Sequence, residues 1–155
     1  MKHIGTTFTL AAALLALGMS PAKAADKGCN ASSLIGTFAY TGIGSITSPP
    51  EIAGPIAEVG TQNFDGKGTT TGSAMLSQGG SVAPVTVTGT YIVNPDCTGT
   101  FTLQVTILGV PPFPLHVYFV LDNTLTEFQA LETDAGLVVS RFAKKQFPVP
   151  GDQRQ

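Results

Sequence analysis

The stretch Gly89–Phe101, GTYIVNPDCTGTF, has the pattern of a β-hairpin and carries one of the two cysteines of the chain. Its centre, Asn94-Pro95-Asp96, favours a turn, because Pro fixes φ and the side chains of Asn and Asp bond to the local backbone. On both sides of this turn, apolar residues alternate with threonines, as in strands that bury one face. The apolar positions are Val85, Val87, Tyr91, Val93, Phe101, Leu103, Val105 and Ile107. The stretch therefore predicts antiparallel strands with one buried face.

The same alternation, interrupted by Gly-, Pro-, Asn- and Asp-rich links, predicts eight strands. They are Leu34–Thr41, Ile56–Phe64, Thr69–Ser77, Val82–Val93, Thr98–Ile107, Leu115–Leu121, Thr124–Leu131 and Leu137–Lys145. Consecutive antiparallel strands with short links favour an all-β, eight-stranded antiparallel up-and-down barrel, because closure removes both sheet edges. A two-sheet β-sandwich is the alternative. An outer-membrane barrel needs an apolar outer band, and the Thr-rich face of strands four and five argues against one.

Residues 1–24 have the features of a secretory signal peptide. A polar start precedes the apolar run Leu10–Gly18, and Ala22-Lys23-Ala24 offers small residues at a cleavage position. The apolar run is shorter than the roughly 20 residues that a transmembrane helix needs. We therefore expect an exported protein, periplasmic or secreted, without a transmembrane span. A single barrel domain would occupy residues 25–145, and residues 146–155 would form a flexible C-terminal tail.

The cysteine count and the net charge restrict the chemistry further. Export implies an oxidising compartment, where Cys29 and Cys97 most simply form one disulfide. The alternative is a reactive or metal-binding thiol, but metal sites need clustered Cys and His, and one of the two histidines lies in the predicted signal peptide. With a net charge of −2 and no basic stripe, the chain has no sign of a nucleic-acid partner. We expect neither a metal nor a cofactor.

The strand directions predict which features share an end of the barrel. If the first strand runs up, the two irregular loops Gly42–Pro55 and Leu108–Pro114 both lie at the top. The tight turns at Asp65, Asn94 and Asp122 then lie at the bottom, together with both cysteines. A disulfide at the bottom is consistent with this arrangement, since its two halves meet at one end.

Three strings of the chain resemble a group of small exported proteobacterial proteins of unassigned function. They are Val59-Gly60…Phe64-Asp65-Gly66-Lys67-Gly68, Gly89-Thr90-Tyr91-x-Val93-x-x-Asp96-Cys97-Thr98-Gly99-Thr100, and Thr133-Asp134-x-Gly136. The resemblance covers most of the chain, from about Leu34 to Lys145. It implies a small antiparallel barrel, similar in outline to the calycin and allene oxide cyclase-like barrels. It transfers no catalytic residue, and function has to be argued from a site.

His116 is the one candidate for acid–base chemistry outside the predicted signal peptide. With a two-residue turn at Asp122-Asn123, His116 would face Gln129, and Tyr118 would face Glu127. This patch is either a general base with its orienting neighbours or a hydrogen-bonded patch on the outer wall. The chain has no GxSxG, HExxH or phosphate loop, so we do not expect an enzyme. An isomerase or cyclase would rest on fold analogy alone. Four carboxylates are expected as solvated charge in loops or turns: Glu51, Glu58, Asp65 and Asp96.

Both irregular loops carry apolar residues, although loops normally face water. These candidate ligand-binding residues are Ile43, Ile46, Ile52, Leu108, Val110 and Phe113. They either rim a barrel mouth that admits a small apolar ligand, or form a docking patch, or fold over the barrel end as core. We predict a non-enzymatic barrel that binds a small apolar ligand at this end. The alternative is an envelope or surface interaction protein with a solid barrel, recognised by a protein partner.

Overall fold

The computed structural model describes residues 28–146, which form a closed barrel of eight antiparallel strands in sequence order. The strands are β1 (Ile35–Ile46), β2 (Gly54–Asp65), β3 (Thr69–Gln78), β4 (Ser81–Val93), β5 (Thr98–Ile107), β6 (Val110–Leu121), β7 (Glu127–Glu132) and β8 (Leu137–Lys145). Each strand pairs with the next, and β8 pairs back with β1. The predicted up-and-down barrel is confirmed, and the two-sheet alternative is excluded.

Two short 3-10 turns, Ala31–Ser33 and Pro50–Ile52, accompany the strands. Among residues 28–146 there is no helix that is long and apolar enough to span a bilayer. The predicted signal peptide, residues 1–24, lies outside the described residues, as does the predicted tail beyond Gln146.

The barrel has two different ends. We call the end with the β2–β3, β4–β5 and β6–β7 turns the closed end. Six aromatic rings fill it, with centroids between 4.4 Å and 6.0 Å from their neighbours. They are Phe38, Phe64, Tyr91, Phe101, Phe119 and Phe128. The Tyr91 hydroxyl donates to the carbonyls of Leu34 and Ala31 at 2.9 Å and 3.1 Å, which ties the segment before β1 to this end.

The disulfide lies at the closed end, as predicted. Cys29 and Cys97 are bonded, with their Cα atoms 4.9 Å apart. The Cys29 amide also donates to the carbonyl of Pro95 at 3.0 Å, so the segment before β1 is bound to the β4–β5 turn by a backbone hydrogen bond as well. The bond therefore joins the start of the barrel to its middle hairpin.

The opposite end, which we call the open end, differs from the prediction in its loop lengths. Strand β1 continues to Ile46 and β6 begins at Val110, so the loops shrink to residues 47–53 and 108–109. In β1, glycine interrupts the apolar alternation for a packing reason: a Cβ at Gly44 would collide with the carbonyl of Val138 in β8. The predicted loops Gly42–Pro55 and Leu108–Pro114 were therefore too long.

The first half of β6 contains three prolines, which is why it was predicted as a loop. Strand β7 pairs with β6 only from Val117 to Leu121. Before Val117, β6 has a partner strand on the β5 side only, and a strand with one free side tolerates proline because a missing N–H costs no ladder bond there. A register shift between Val105 and Ile107 of β5 also accommodates Pro111 and Pro112. The prolines therefore lie in a part of β6, before Val117, that is paired with a neighbouring strand on one side only; we call it the edge segment of β6.

The β6–β7 turn is longer than the predicted Asp122-Asn123 turn. The Asp122 carboxylate accepts hydrogen bonds from the amides of Thr126 and Glu127, at 2.9 Å and 2.8 Å, and so stabilises a connection over residues 122–126. This changes the register, so Tyr118 pairs with Leu131 rather than with Glu127. The predicted patch of four polar side chains around His116 is therefore wrong.

Candidate functional site

The open half of the barrel contains a cavity of about 200 Å³. All eight strands and Ile52 contribute to its lining, which is mainly Val, Ile and Leu. The interior of an eight-stranded barrel is just wide enough for side chains to fill or for one small ligand. Aromatic rings fill the closed half, whereas shorter aliphatic side chains leave space in the open half. A cavity of about 150 Å³ with an aliphatic and aromatic lining is large enough for benzene.

The structure brings four of the six predicted ligand-binding residues to this cavity. Ile46, Ile52, Val110 and Phe113 line it, from β1, the β1–β2 loop and β6. The other two lie elsewhere: Ile43 is exposed on the outer wall, and Leu108 is 90% exposed at the β5–β6 turn. Ile43 faces outward because of its parity in β1. Leu108 is exposed because the β5–β6 turn consists of only two residues.

Sequence reasoning missed the charged group on the cavity wall. Arg141 lies between two carboxylates, and we call these three residues the Glu–Arg–Glu cluster. Its Nε lies 2.6 Å from Oε1 of Glu58, and its Nη2 donates to Oε1 of Glu132 at 2.6 Å. The side chains of Arg141, Glu58 and Glu132 are only 8%, 6% and 4% exposed. The expectation that Glu58 is a solvated loop charge is therefore wrong.

Strand parity explains why these three charged side chains point inward. It is also the signal in the sequence from which their burial could have been predicted. Glu58 shares its face of β2 with the buried residues Ile56 and Gln62, because side chains two apart lie on one face of a strand. Glu132 likewise follows Phe128 and Ala130 in β7, and Arg141 lies between Val139 and Ala143 in β8. Three polar residues on apolar faces of separate strands indicate a buried ionic group.

Tyr40 completes the surroundings of the cluster. Its ring lies 5.3 Å from the Arg141 guanidinium carbon, a distance at which a cation is attracted to the face of an aromatic ring. Burial, and next to it the charge of Glu58, raise the pKa of the Tyr40 hydroxyl far above its ordinary value. The phenol is therefore neutral at neutral and mildly acidic pH.

The cluster holds more negative than positive charge. Two carboxylates share one guanidinium, so with both ionised the cluster carries one excess negative charge. Burial raises the pKa of Glu132 from 4.5 to about 6, with Glu58 adding to the rise and Arg141 opposing it. Arg141 contacts Oε1 of each carboxylate, so the single guanidinium is shared between Glu58 and Glu132. The cavity wall therefore carries two buried carboxylates with one guanidinium between them.

Gly42 and Glu58 are paired across β1 and β2. Because Gly42 has no side chain, the Glu58 side chain can occupy the space beside it. A Cβ at Gly42 would lie 2.5 Å from Oε1 and 2.7 Å from Cγ of Glu58. We expect Gly42→Ala to destabilise the protein by about 1–3 kcal/mol, the usual range for overpacking. Urea unfolding measures this change in the free energy of unfolding.

A double-mutant cycle tests the stated cause. If the clash with Glu58 is responsible, Gly42→Ala costs much less in a Glu58→Ala background, so the two changes are coupled. An equal cost of Gly42→Ala in both backgrounds would contradict this explanation.

His116 has a different partner from the predicted one. Its amide donates to Oδ2 of Asp134 at 2.6 Å, and its Nδ1 lies 2.8 Å from Oδ1 of the same residue. Partial burial raises the pKa of Asp134, but the hydrogen bonds from His116 lower it more, so the net pKa is below the ordinary value. Neither residue lines the cavity. The pair binds the β7–β8 loop to the edge segment of β6.

Residues 28–146 contain no group of three or more His, Cys, Asp or Glu side chains arranged to hold a metal ion. Comparisons of the chain with protein-family models, with curated proteins and with solved structures find no match. The resemblance to small exported proteobacterial proteins therefore stays a prediction.

Proposed function

We propose that the protein is an exported, non-enzymatic barrel that binds a small, mainly apolar ligand in the cavity at the open end. The observation that supports this function is the cavity of about 200 Å³ with its aliphatic lining. Two of its lining residues, Ile52 and Phe113, are 49% and 37% exposed, so the cavity reaches the surface between the β1–β2 loop and β6. A ligand can enter there without opening the barrel.

The loop lengths disfavour the other interpretations of this end. Loops that fold over the barrel as core need more chain than residues 47–53 and the two-residue β5–β6 turn. A partner-binding protein with a solid barrel would not need an unfilled half. The docking alternative therefore has less support than a ligand, and an isomerase or cyclase still rests on fold analogy alone.

The disulfide supports export. A bond between Cys29 and Cys97 persists in an oxidising compartment such as the periplasm or the medium, and is rare in the cytosol. The cavity itself supports a binding rather than a catalytic function, because its Arg141, Glu58 and Glu132 side chains are engaged with each other.

Indole is a suitable first ligand, because it fits the cavity volume and the chain contains no Trp. Its fluorescence, excited beyond the tyrosine absorption band, then reports binding without protein background. We expect a dissociation constant of roughly micromolar to millimolar, as for other ligands of about nine heavy atoms. Phe113→Asp should weaken binding by about tenfold or more, because it places a charge in the apolar entrance.

Leu108→Asp is the matched control. It is the same kind of change, on the same side of the open end, at a residue that is exposed and does not line the cavity. Indole binding should not change. Equal losses for both variants, or no binding of indole by the unaltered protein at any usable concentration, would argue against the proposed function.

A further inference from the structure

The cavity combines an apolar wall with two buried carboxylates that share one guanidinium, and this combination indicates the chemistry of the ligand. Building on the proposed ligand-binding function, we propose that the natural ligand is a small cationic amine. Its apolar body would occupy the aliphatic part of the cavity, and its ammonium group would bind the carboxylates of Glu58 and Glu132.

The charge balance favours a cation. Arg141 is in contact with Glu58 and Glu132 at 2.6 Å each, so one positive charge faces two negative ones. Because charges interact more strongly where water is excluded, the excess negative charge attracts a cation, and this attraction acts against the cost of removing water from that cation. An ammonium group makes the whole assembly neutral.

The hydrogen bonding favours a donor. Arg141 contacts Oε1 of Glu58 and Oε1 of Glu132, and each ionised carboxylate can accept more hydrogen bonds than that one contact provides. An ammonium group has three N–H donors and no acceptor, so it can donate to both carboxylates without competing for the guanidinium.

Other head groups fit less well. A carboxylate ligand would have to displace Glu58 or Glu132 from Arg141 and would add a second unpaired negative charge. An alcohol can donate one hydrogen bond but leaves the excess charge in place. A cavity of about 200 Å³ then limits the ligand to about nine heavy atoms, a size that hexylamine and benzylamine do not exceed.

Protonation of Glu132 should regulate this binding. The charged and titratable groups that surround Glu132 are Arg141 on β8, Glu58 on β2, Tyr40 on β1 and Asp134 in the β7–β8 loop. Tyr40 is neutral, the pKa of Asp134 lies below its ordinary value, and the pKa of Glu132 is raised to about 6, so Glu132 changes charge between neutral and mildly acidic pH. When Glu132 binds a proton, the excess negative charge disappears and the affinity for an amine falls.

The test compares hexylamine, hexanol and hexanoate by isothermal titration calorimetry on the oxidised, unaltered protein at pH 7.5. We expect hexylamine to bind about tenfold or more tightly than hexanol, in line with a hydrogen bond to a charged group, and hexanoate to bind most weakly. Hexanol or hexanoate binding as tightly as hexylamine would overturn the amine proposal and leave the apolar cavity intact. Binding of none of the three would instead overturn the proposed function.

Two variants locate the effect. Glu132→Gln keeps the size of the side chain and should remove most of the preference for hexylamine, while hexanol binding persists and shows that the cavity is intact. Glu127→Gln is the matched control, since Glu127 lies on the same strand but pairs with Lys144 away from the cavity. An unchanged hexylamine preference in Glu132→Gln, or equal losses in both variants, would contradict the assignment of Glu132.

The pH dependence gives a separate readout. Hexylamine affinity should fall as the pH is lowered through about 6, the region in which Glu132 takes up its proton, whereas hexanol affinity should stay constant. A hexylamine affinity that does not change between pH 7.5 and pH 5 would contradict the role given to Glu132.

Discussion

Arg141→Met is expected to destabilise the protein by about 3–5 kcal/mol at neutral pH, the largest effect of any single change that we predict. The guanidinium is the positive partner of both Glu58 and Glu132, whose side chains are almost completely buried. Removing one partner of a buried ion pair leaves an uncompensated charge in a medium that solvates it poorly. Here it leaves two charges of the same sign on one cavity wall.

The loss should depend on pH in a known direction. Without Arg141, burial and the charge of Glu58 raise the pKa of the Glu132 carboxyl with nothing to oppose them, so it stays above its unfolded value. The native state then binds more protons than the unfolded state, so stability rises as the pH is lowered and falls again as the pH rises. The unaltered protein should show a smaller effect of the same sign, because the pKa of Glu132 is already raised to about 6.

Urea unfolding at pH 7.5 and pH 5 measures both predictions. The control is the triple variant Glu58→Gln, Glu132→Gln, Arg141→Met, which removes all three charges and should recover much of the lost stability, since uncharged side chains need no counter-ion. A loss below about 1 kcal/mol at pH 7.5, or a loss of equal size at both pH values, would contradict a buried ionic role for Arg141.

Loss of the disulfide should cost about 4 kcal/mol. The bond joins Cys29 to Cys97 over a sequence separation of 68 residues, and the chain-entropy model assigns about this value to the closure of such a loop in the unfolded chain. The effect acts mainly through the unfolded state, because the Cys29 amide keeps its hydrogen bond to Pro95 when the sulfur atoms separate. The reduced barrel should therefore fold but unfold at a lower denaturant concentration.

Guanidinium unfolding of the oxidised protein, the reduced protein and the double variant Cys29→Ser, Cys97→Ser measures this difference. The reduced protein and the double variant should agree, since both lack the cross-link. A titration of free thiols in the unfolded, unreduced protein checks that the bond is present at the start. Identical unfolding midpoints with and without the bond would show that it does not stabilise the barrel.

These two changes address different ends of the molecule. The closed end combines the disulfide with the packed aromatic rings, and the open end combines the cavity with the Glu–Arg–Glu cluster. Aromatic side chains fill the closed half, whereas the open half holds a cavity. A barrel with one solid and one hollow half is suited to bind a small ligand with little change of shape.

Most of the fold could be predicted from local pattern. Alternation of apolar and polar residues has a period of two in strands, and this pattern located all eight strands along the chain. Strand direction alternates in an antiparallel meander, so the order of strands also placed the two cysteines and the tight turns at one end. The apolar character of Ile46, Val110 and Phe113 is a local feature too, but their meeting at one cavity depends on the closed barrel.

The tertiary structure decided what depends on residues far apart in the sequence. Gly44 and the prolines of β6 interrupt the strand pattern, and only the neighbouring strands show why they are tolerated. The carboxylate of Asp122 lengthens one turn and so sets the register that separates Tyr118 from Glu127. Glu58, Glu132 and Arg141 come from three strands and become one cluster only when the barrel closes. The cavity, likewise, is the space left between side chains from all eight strands. Its volume depends on the sizes of side chains that are far apart in the sequence, so no single stretch of the chain predicts it.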